Sequence, residues 1–547
     1  MTRSTFSKPL LFALIPLAAF TYTSASHACS ECKRNAKQNL GDVSFATSCK
    51  PTSQKQLERG LALLHHMMYA EARKTFTQLS KDDTSCPMAH WGIAMTLFQP
   101  LWPNRPGETQ MQQGAEAINK ARELKPGTAR EQGYVDATAA FFTDWQNTDY
   151  AARIARWSEA QKQLYDANSG DINAATLYAL SHLATAPKAD KTFTHQKTAG
   201  ALLEKLYQQS PQHPGVIHYT IHAYDNPLLA KRAVDMAKAY DQIAPAVPHA
   251  LHMPTHIFVR LGLWSDTISW NIRSAEAALN FPVNNATSHH YPHAVDYLIY
   301  GYLQQADEER AEETLAELAS RQKYQPTFVS GYALAAAPAR YALERRQWAE
   351  AAELPVRQPL RFPWLKFPQV EALTHFARAL GAARNGQLTV AEDNLRTLGT
   401  MLQRTRKAGQ DYWATLIEAQ HKAVEAWIQY GKGNTAEALS LIQAAADQED
   451  SVDKHPVTPG AVLPLRELLG DMLRLEGEYN DALTAYEASL KISPNRYYSL
   501  YGAGRSAEKA GESTAAANYY RRLLLLSGTN GKGRTELAHA EAFLNGN

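Results

Sequence analysis

The sequence predicts an all-α protein, a right-handed superhelical solenoid of antiparallel helix pairs running from about residue 52 to the C-terminus. Three observations predict it. Small and aromatic residues recur at a fixed period near the C-terminus, and helix punctuation appears at the same phase upstream. Alternating β-branched runs joined by tight turns are absent, apart from the turn signal Thr529-Asn530-Gly531. At 547 residues the chain is too long for one compact core, so a repeat array or several domains is required. A 45% apolar and 20% charged composition belongs to an ordinary folded protein. The 56 basic and 54 acidic residues are interspersed, which excludes the concentrated basic face that nucleic-acid binding needs.

In chain order, residues 1–28 come first and differ in character from the rest. Arg3 and Lys8 precede an apolar run from Pro9 to Phe20, and a small-residue exit ends Ser26-His27-Ala28. That is the layout of a secretory signal peptide, with periplasmic or secreted protein as the consequence. The apolar run is too short to span a bilayer, and no later segment is long enough. Cys29 directly after the exit raises a lipoprotein, but Ser26 stands where such a signal normally has Leu, which argues for plain export.

Residues 29–51 form a cysteine-containing segment. Cys29, Cys32, Cys49 and Cys86 are an even set in a compartment where disulfides persist. Cys49 and Cys86 both follow Thr-Ser and flank the first helix pair, so a staple between them is expected. Cys29-Ser30-Glu31-Cys32 is either a second disulfide or half a metal site. It is not a c-type haem attachment, because Lys33 occupies the histidine position.

The repeats divide into residues 52–210, 211–330 and 331–547. In the first block, Gly60, Ala72 and Phe76 set the phase, with Tyr69-Ala70-Glu71-Ala72 opening a second helix; residues 111–210 are helical by periodicity with a weaker phase. Further turn-to-helix openings lie at Ala306 to Ala311, Gln347 to Ala351, Gly386 to Ala391 and Gly433 to Ala438. Irregular spacers fall at Pro100 to Pro106, Phe281 to Tyr291, Gln358 to Pro368 and Asp447 to Pro464. In the last block Gly470, Ala482 and Tyr486 recur one full period later, at identical spacing, as Gly504, Ala516 and Tyr520, with Pro494 closing the first unit. Small residues let paired helices approach, the aromatic fills the gap to the next pair, and proline ends the second helix. This spacing is similar to the tetratricopeptide repeat.

The middle block carries the chemistry. His213, His218, His222, His249, His252, His256, His289, His290 and His293 crowd one short stretch, where an even spread of 19 histidines over 547 residues would place about three. Pro211, Pro214, His218 and His222 recur by the same period as Pro245, Pro248, His252 and His256. The phase puts both pairs on the first helix of their units, the helix expected to line a concave groove, and i, i+4 spacing puts both rings of a pair on one helical face. One unit further on, His293 stands upstream as His249 does, and Asp296 and Tyr300 take the paired positions. Histidine and carboxylate projecting from facing helices is how helical scaffolds hold transition metals. The expected ligands are His218, His222, His249, His252, His256, His293 and Asp296, for Cu or Zn, with Fe as the further choice. Asp225, one turn past His222, is a ligand or the group that orients one. His213 reads as a solvated turn residue, Met67-Met68 and Trp102 as packing, and His455 as a loop histidine able to reach the groove.

The same ladder fits other occupants: an acidic or aromatic peptide in the groove, or none, since duplication copies any residue. Two function classes follow. One is a metal-binding or scaffold protein; the other is a metal-dependent enzyme, hydrolytic or oxidative, with Asp225, Tyr300 or Tyr219 handling protons. Phosphate loops, serine elbows and the His-Glu-x-x-His helix are missing from the sequence.

Five segments add a resemblance. Gly60 to His66, Ala89 to Met95, His218 to Asp225, His249 to Gly262 and His455 to Gly460 resemble segments of a bacterial exported tetratricopeptide-repeat family. The resemblance covers nearly all of the chain after the leader. It implies the fold and implies no activity.

Overall fold

The computed structural model describes residues 39–102, 105–187 and 190–546. Residues 1–28, read above as a leader, lie outside the described residues with Cys29 and Cys32, as do Pro103 and Asn104 of the first spacer. What is described is an all-α superhelical solenoid, beginning with the helix Gln54–His65 and ending with Thr535–Leu544. Among the described residues no β-strand forms. Two isolated bridges, Val283 to Ala286 and Thr287 to Tyr324, fold the 281–291 insertion, and Thr529-Asn530-Gly531 is a turn between helices.

The repeat phase appears as helix pairs. Tyr69–Asp82, Glu308–Ser320, Trp348–Ala352, Leu388–Lys407 and Thr435–Asp450 open where the small-residue signals stand. The weakly phased stretch is also helical, from Glu108–Glu123 to Thr194–Gln209. The last spacer is shorter than predicted, because Thr435–Asp450 continues into it.

Aromatic-on-glycine contacts set the spacing of the pairs. The Tyr486 ring lies so close to the Gly470 and Gly502 backbones that a Cβ at Gly502 would sit 2.3 Å from it. Phe76 fills the same role between Gly60 and Gly92 at the other end. Such direct approach trades side-chain volume for backbone proximity, so even one added methyl group would have to displace a ring.

Three long-range clasps wind the solenoid onto its own middle. The segment after Asn39 lies across the early repeats, with the Asp42 amide donating to Gln212 O at 2.9 Å and Asn173 Nδ2 to Ser44 O at 2.8 Å. The 451–464 loop reaches back to the central repeats: Arg260 pairs with Asp453 at 3.1 Å, and Tyr297 Oη donates to Thr458 O at 3.0 Å. Further on, the fully buried Arg496 bonds Glu467, Glu344 and Tyr300 together. Cys49 and Cys86 are joined as expected, across the first helix pair.

Candidate metal centre

The duplicated unit starts each histidine helix with proline. Pro214 opens Pro214–Tyr224 and Pro248 opens Pro248–His252, at the first-turn position where a missing N–H is harmless. A second proline, Pro254, follows at once and begins Pro254–Leu261, with Met253 keeping helical angles between the two segments. His252 and His256 therefore stay one turn apart on one face despite the interruption.

The structure brings six of the seven predicted ligands together, as two triads. His218, His222 and His249 form one, and His252, His256 and His293 form the other; within each, one nitrogen per ring lies within 4.8 Å of the others. The rule is the same in both. An i, i+4 pair is completed by the upstream histidine of the following unit. The triads are neighbours, with the His222 and His256 ring centroids 6.3 Å apart.

Partner chemistry fixes the tautomers of the second triad. Asn271 Nδ2 donates to Thr267 O at 2.8 Å, which leaves Asn271 Oδ1 to accept from His252 Nδ1–H at 2.8 Å. Asp225 Oδ2 accepts from His256 Nδ1–H at 3.0 Å. Both Nδ1 atoms are thus spent as donors, so both Nε2 atoms carry lone pairs in the neutral rings. Those two lone pairs face each other at 3.1 Å. Alone they would repel. Nitrogens bound about 2.0–2.1 Å from one tetrahedral ion stand roughly 3.3 Å apart, close to the separation of this pair. His293 lies beside His252 at a centroid distance of 4.1 Å.

The first triad follows the same logic. His218 Nδ1–H donates to the His65 carbonyl at 2.6 Å, and its Nε2 is buried without a hydrogen-bond partner among the described residues. His222 Nε2 and both ring nitrogens of His249 are likewise sealed from solvent and unpaired. A buried polar atom without a partner costs about 1–3 kcal/mol, and each of the three rings carries at least one.

Electrostatics favours neutral rings. Burial, followed by neighbouring imidazoles, holds His218, His249, His252 and His293 well below the ordinary histidine value. Burial lowers His222 to about 3 and also lowers His256, against the pull of Asp225. Asp225 itself is desolvated, yet Lys454 and Arg260 hold its carboxyl far below the usual carboxylate range. Arg260 Nε sits 2.8 Å and Lys454 Nζ 3.1 Å from it. Asp225 is therefore the hub that joins His256 to the returning 451–464 loop.

Several expectations are corrected. The triads do not face an open groove. Five of the six histidines are at most 4% exposed, and only His222 is partly so, with the 451–464 loop bonded to Asp225, Arg260 and Tyr297 beside them. Asp296 does not join either triad; it is buried against Arg340 Nε at 3.3 Å, and burial pushes its carboxyl up. Tyr300 accepts from Arg496 Nη1 at 2.7 Å, away from the rings. Tyr219 Oη is 3.1 Å from His65 Nδ1 instead. His213 is buried, donating from Nε2 to Asn173 Oδ1 at 3.1 Å, because the N-terminal segment covers its turn. His455 packs on Trp413 at 5.0 Å, outside both triads. Met67 and Met68 are buried as predicted.

Sequence reasoning missed Asn271, the His65 carbonyl, Arg260 and Lys454 as the groups that orient the rings. Asn271 carried a readable signal, since it lies one turn past Thr267 on the paired helix. The others depend on chain closure.

No family model and no curated protein matches the sequence. Among solved structures, the chain is similar to a monomeric mutant of IFIT1 with m7Gppp-AAAA, at 12% identity and a TM-score of 0.36, covering 90% of this chain and 99% of that one. It is similar also to the human IFIT1 dimer with m7Gppp-AAAA, at 12% identity and a TM-score of 0.35, covering 80% and 90%. Likeness of this size bears on neither ligand nor reaction.

Proposed function

We propose that this chain is an exported solenoid that binds a close pair of transition-metal ions, one in each histidine triad, and serves as a metal-binding or scaffold protein. The observation that carries the reading is the 3.1 Å approach of His252 Nε2 and His256 Nε2, each with its Nδ1 committed to an acceptor. Three neutral imidazoles per ion suit Cu or Zn, with Fe less well matched for want of a carboxylate ligand. Export rests on the leader pattern of residues 1–28, and the Cys49–Cys86 disulfide supports it. A protein or peptide partner belongs to the concave groove of the solenoid in this reading. Among the described residues no helix is long and apolar enough to cross a membrane.

One observation favours a second reading, a metal-dependent enzyme. Each triad offers three nitrogens and so leaves a coordination position for an outside ligand, as catalytic sites do. Asp225 would then keep His256 in its ligating tautomer; Tyr219 and Tyr300 are committed elsewhere.

The test compares metal content and thermal stability of wild type with His218→Ala/His252→Ala, using His213→Ala as control. Metal lost from the double variant with helicity retained, and kept by the control, supports the reading. Equal metal in all three would show that the rings are packing residues copied by duplication.

A further inference from the structure

A cavity of about 650 Å³ opens between the start of the Tyr69–Asp82 helix and the 281–291 insertion. Its wall includes Met68, Trp102, His289 and His290, and its charged lining residues are Glu71, Arg73, Lys74 and Lys81. The triads use none of these side chains. His289 Nδ1 is nevertheless buried and without a hydrogen-bond partner among the described residues.

From that wall, rings run inward in a continuous file. His289 and His290 have centroids 4.5 Å apart, and His290 lies 5.3 Å from His249 of the first triad. His249 is 5.0 Å from His218, and 6.4 Å from His252 of the second triad. Trp102 lies along the same file, 5.2 Å from His289 and 5.4 Å from His249. Its indole N–H donates to Met67 Sδ at 3.0 Å, which holds the ring in place.

We infer that the cavity is the uptake path for the centre and that the ion it passes is cuprous copper, handed from Met68 and His289 through His290 to His249. The inference rests on the metal reading of the triads and adds to it a metal and a route. Two features favour Cu(I) over the Zn(II) that three neutral imidazoles also accept. Thioether and imidazole at a cavity wall are soft donors that suit it. Buried triads made only of neutral imidazoles give a dication no anionic ligand, whereas a monocation carries less charge out of water. The nearest carboxylate, Asp225, is already matched by Arg260 and Lys454.

The experiment loads metal-free full-length protein anaerobically from a coloured Cu(I)–chelator complex. It follows chelator release in a stopped-flow instrument and then measures copper per chain. His289→Ala and Met68→Leu are compared with wild type, with circular dichroism confirming the fold of each. Each variant should load roughly tenfold more slowly and reach the wild-type end-point. An unchanged rate in both overturns the route. A lowered end-point overturns it too, because His289 or Met68 would then be part of the resting site. If wild type refuses Cu(I) yet binds Zn(II), the copper assignment fails and the metal reading survives. If it binds neither ion, the metal reading itself has failed.

Discussion

Asp225→Asn removes one charge at the point where the second triad, Arg260 and the 451–464 loop meet. The carboxylate accepts from His256 Nδ1 at 3.0 Å, Arg260 Nε at 2.8 Å and Lys454 Nζ at 3.1 Å. Asparagine has one acceptor oxygen, so its amide nitrogen must face one of those donors. If the oxygen stays with Arg260, His256 loses the acceptor that holds its proton on Nδ1. Loss of such an orienting partner costs about 10–100-fold in metal affinity, or roughly 1.4–2.7 kcal/mol. Removing one member of a buried ion pair costs about 3–5 kcal/mol of stability; the 6% exposed Asp225 side chain is that deeply set. The control is Asp453→Asn, which takes a partner from Arg260 and touches no histidine. Metal affinity is measured by chelator competition and stability by thermal unfolding, on both variants. Asp225→Asn should lose both quantities, and Asp453→Asn should lose stability alone. Equal affinity in the two variants would refute the claim that Asp225 orients a ligand.

Protonation, the disulfide and the Arg496 clasp each give a further test. Burial lowers His66 and His213 to about 4, so the unfolded chain binds more protons than the folded one below the ordinary value of 6.5. Each contributes on the order of 3 kcal/mol that is complete above that value and gone near pH 4; metal-free protein should lose melting temperature steadily from pH 6.5 to 4, and a flat profile would refute this. Opening the Cys49–Cys86 link by Cys49→Ser/Cys86→Ser frees a loop of sequence separation 37, worth about 4 kcal/mol in the chain-entropy treatment. Thermal unfolding under non-reducing conditions reads that loss, and an unchanged midpoint would contradict it. Arg496→Met leaves the Glu344 and Glu467 carboxylates buried together, at about 3–5 kcal/mol. Hydrogen exchange should then show the helices after Leu465 losing protection first; uniform loss across the chain would count against the clasp.

Much of the fold was legible because its determinants are local. Gly470, Tyr486 and Gly504 sit at spacings that stacked helix pairs satisfy, and the Tyr486 ring does lie on the Gly470 backbone. The triads were legible in part for the same reason, since i, i+4 geometry fixes which rings share a face. What completed them was not local. His293, the partner of His252, belongs to the following unit, and only the repeat phase carried across the Phe281 to Tyr291 insertion points to it. Asp296 has ligand chemistry and the right phase, yet Arg340 from a later helix claims it. His213 has the sequence of a surface turn, and only the segment after Asn39 makes it interior. Lys454 lies 229 residues from Asp225, a contact that no periodicity encodes.

The central claim is that two triads hold two ions, and metal counting tests it most directly. Protein purified without chelators from the cells that make it is analysed for Cu, Zn and Fe per chain. Two equivalents are predicted for wild type, and one for each of His218→Ala/His222→Ala and His252→Ala/His256→Ala, with helicity unchanged by circular dichroism. No bound metal in wild type, or full occupancy in either double variant, would contradict the account.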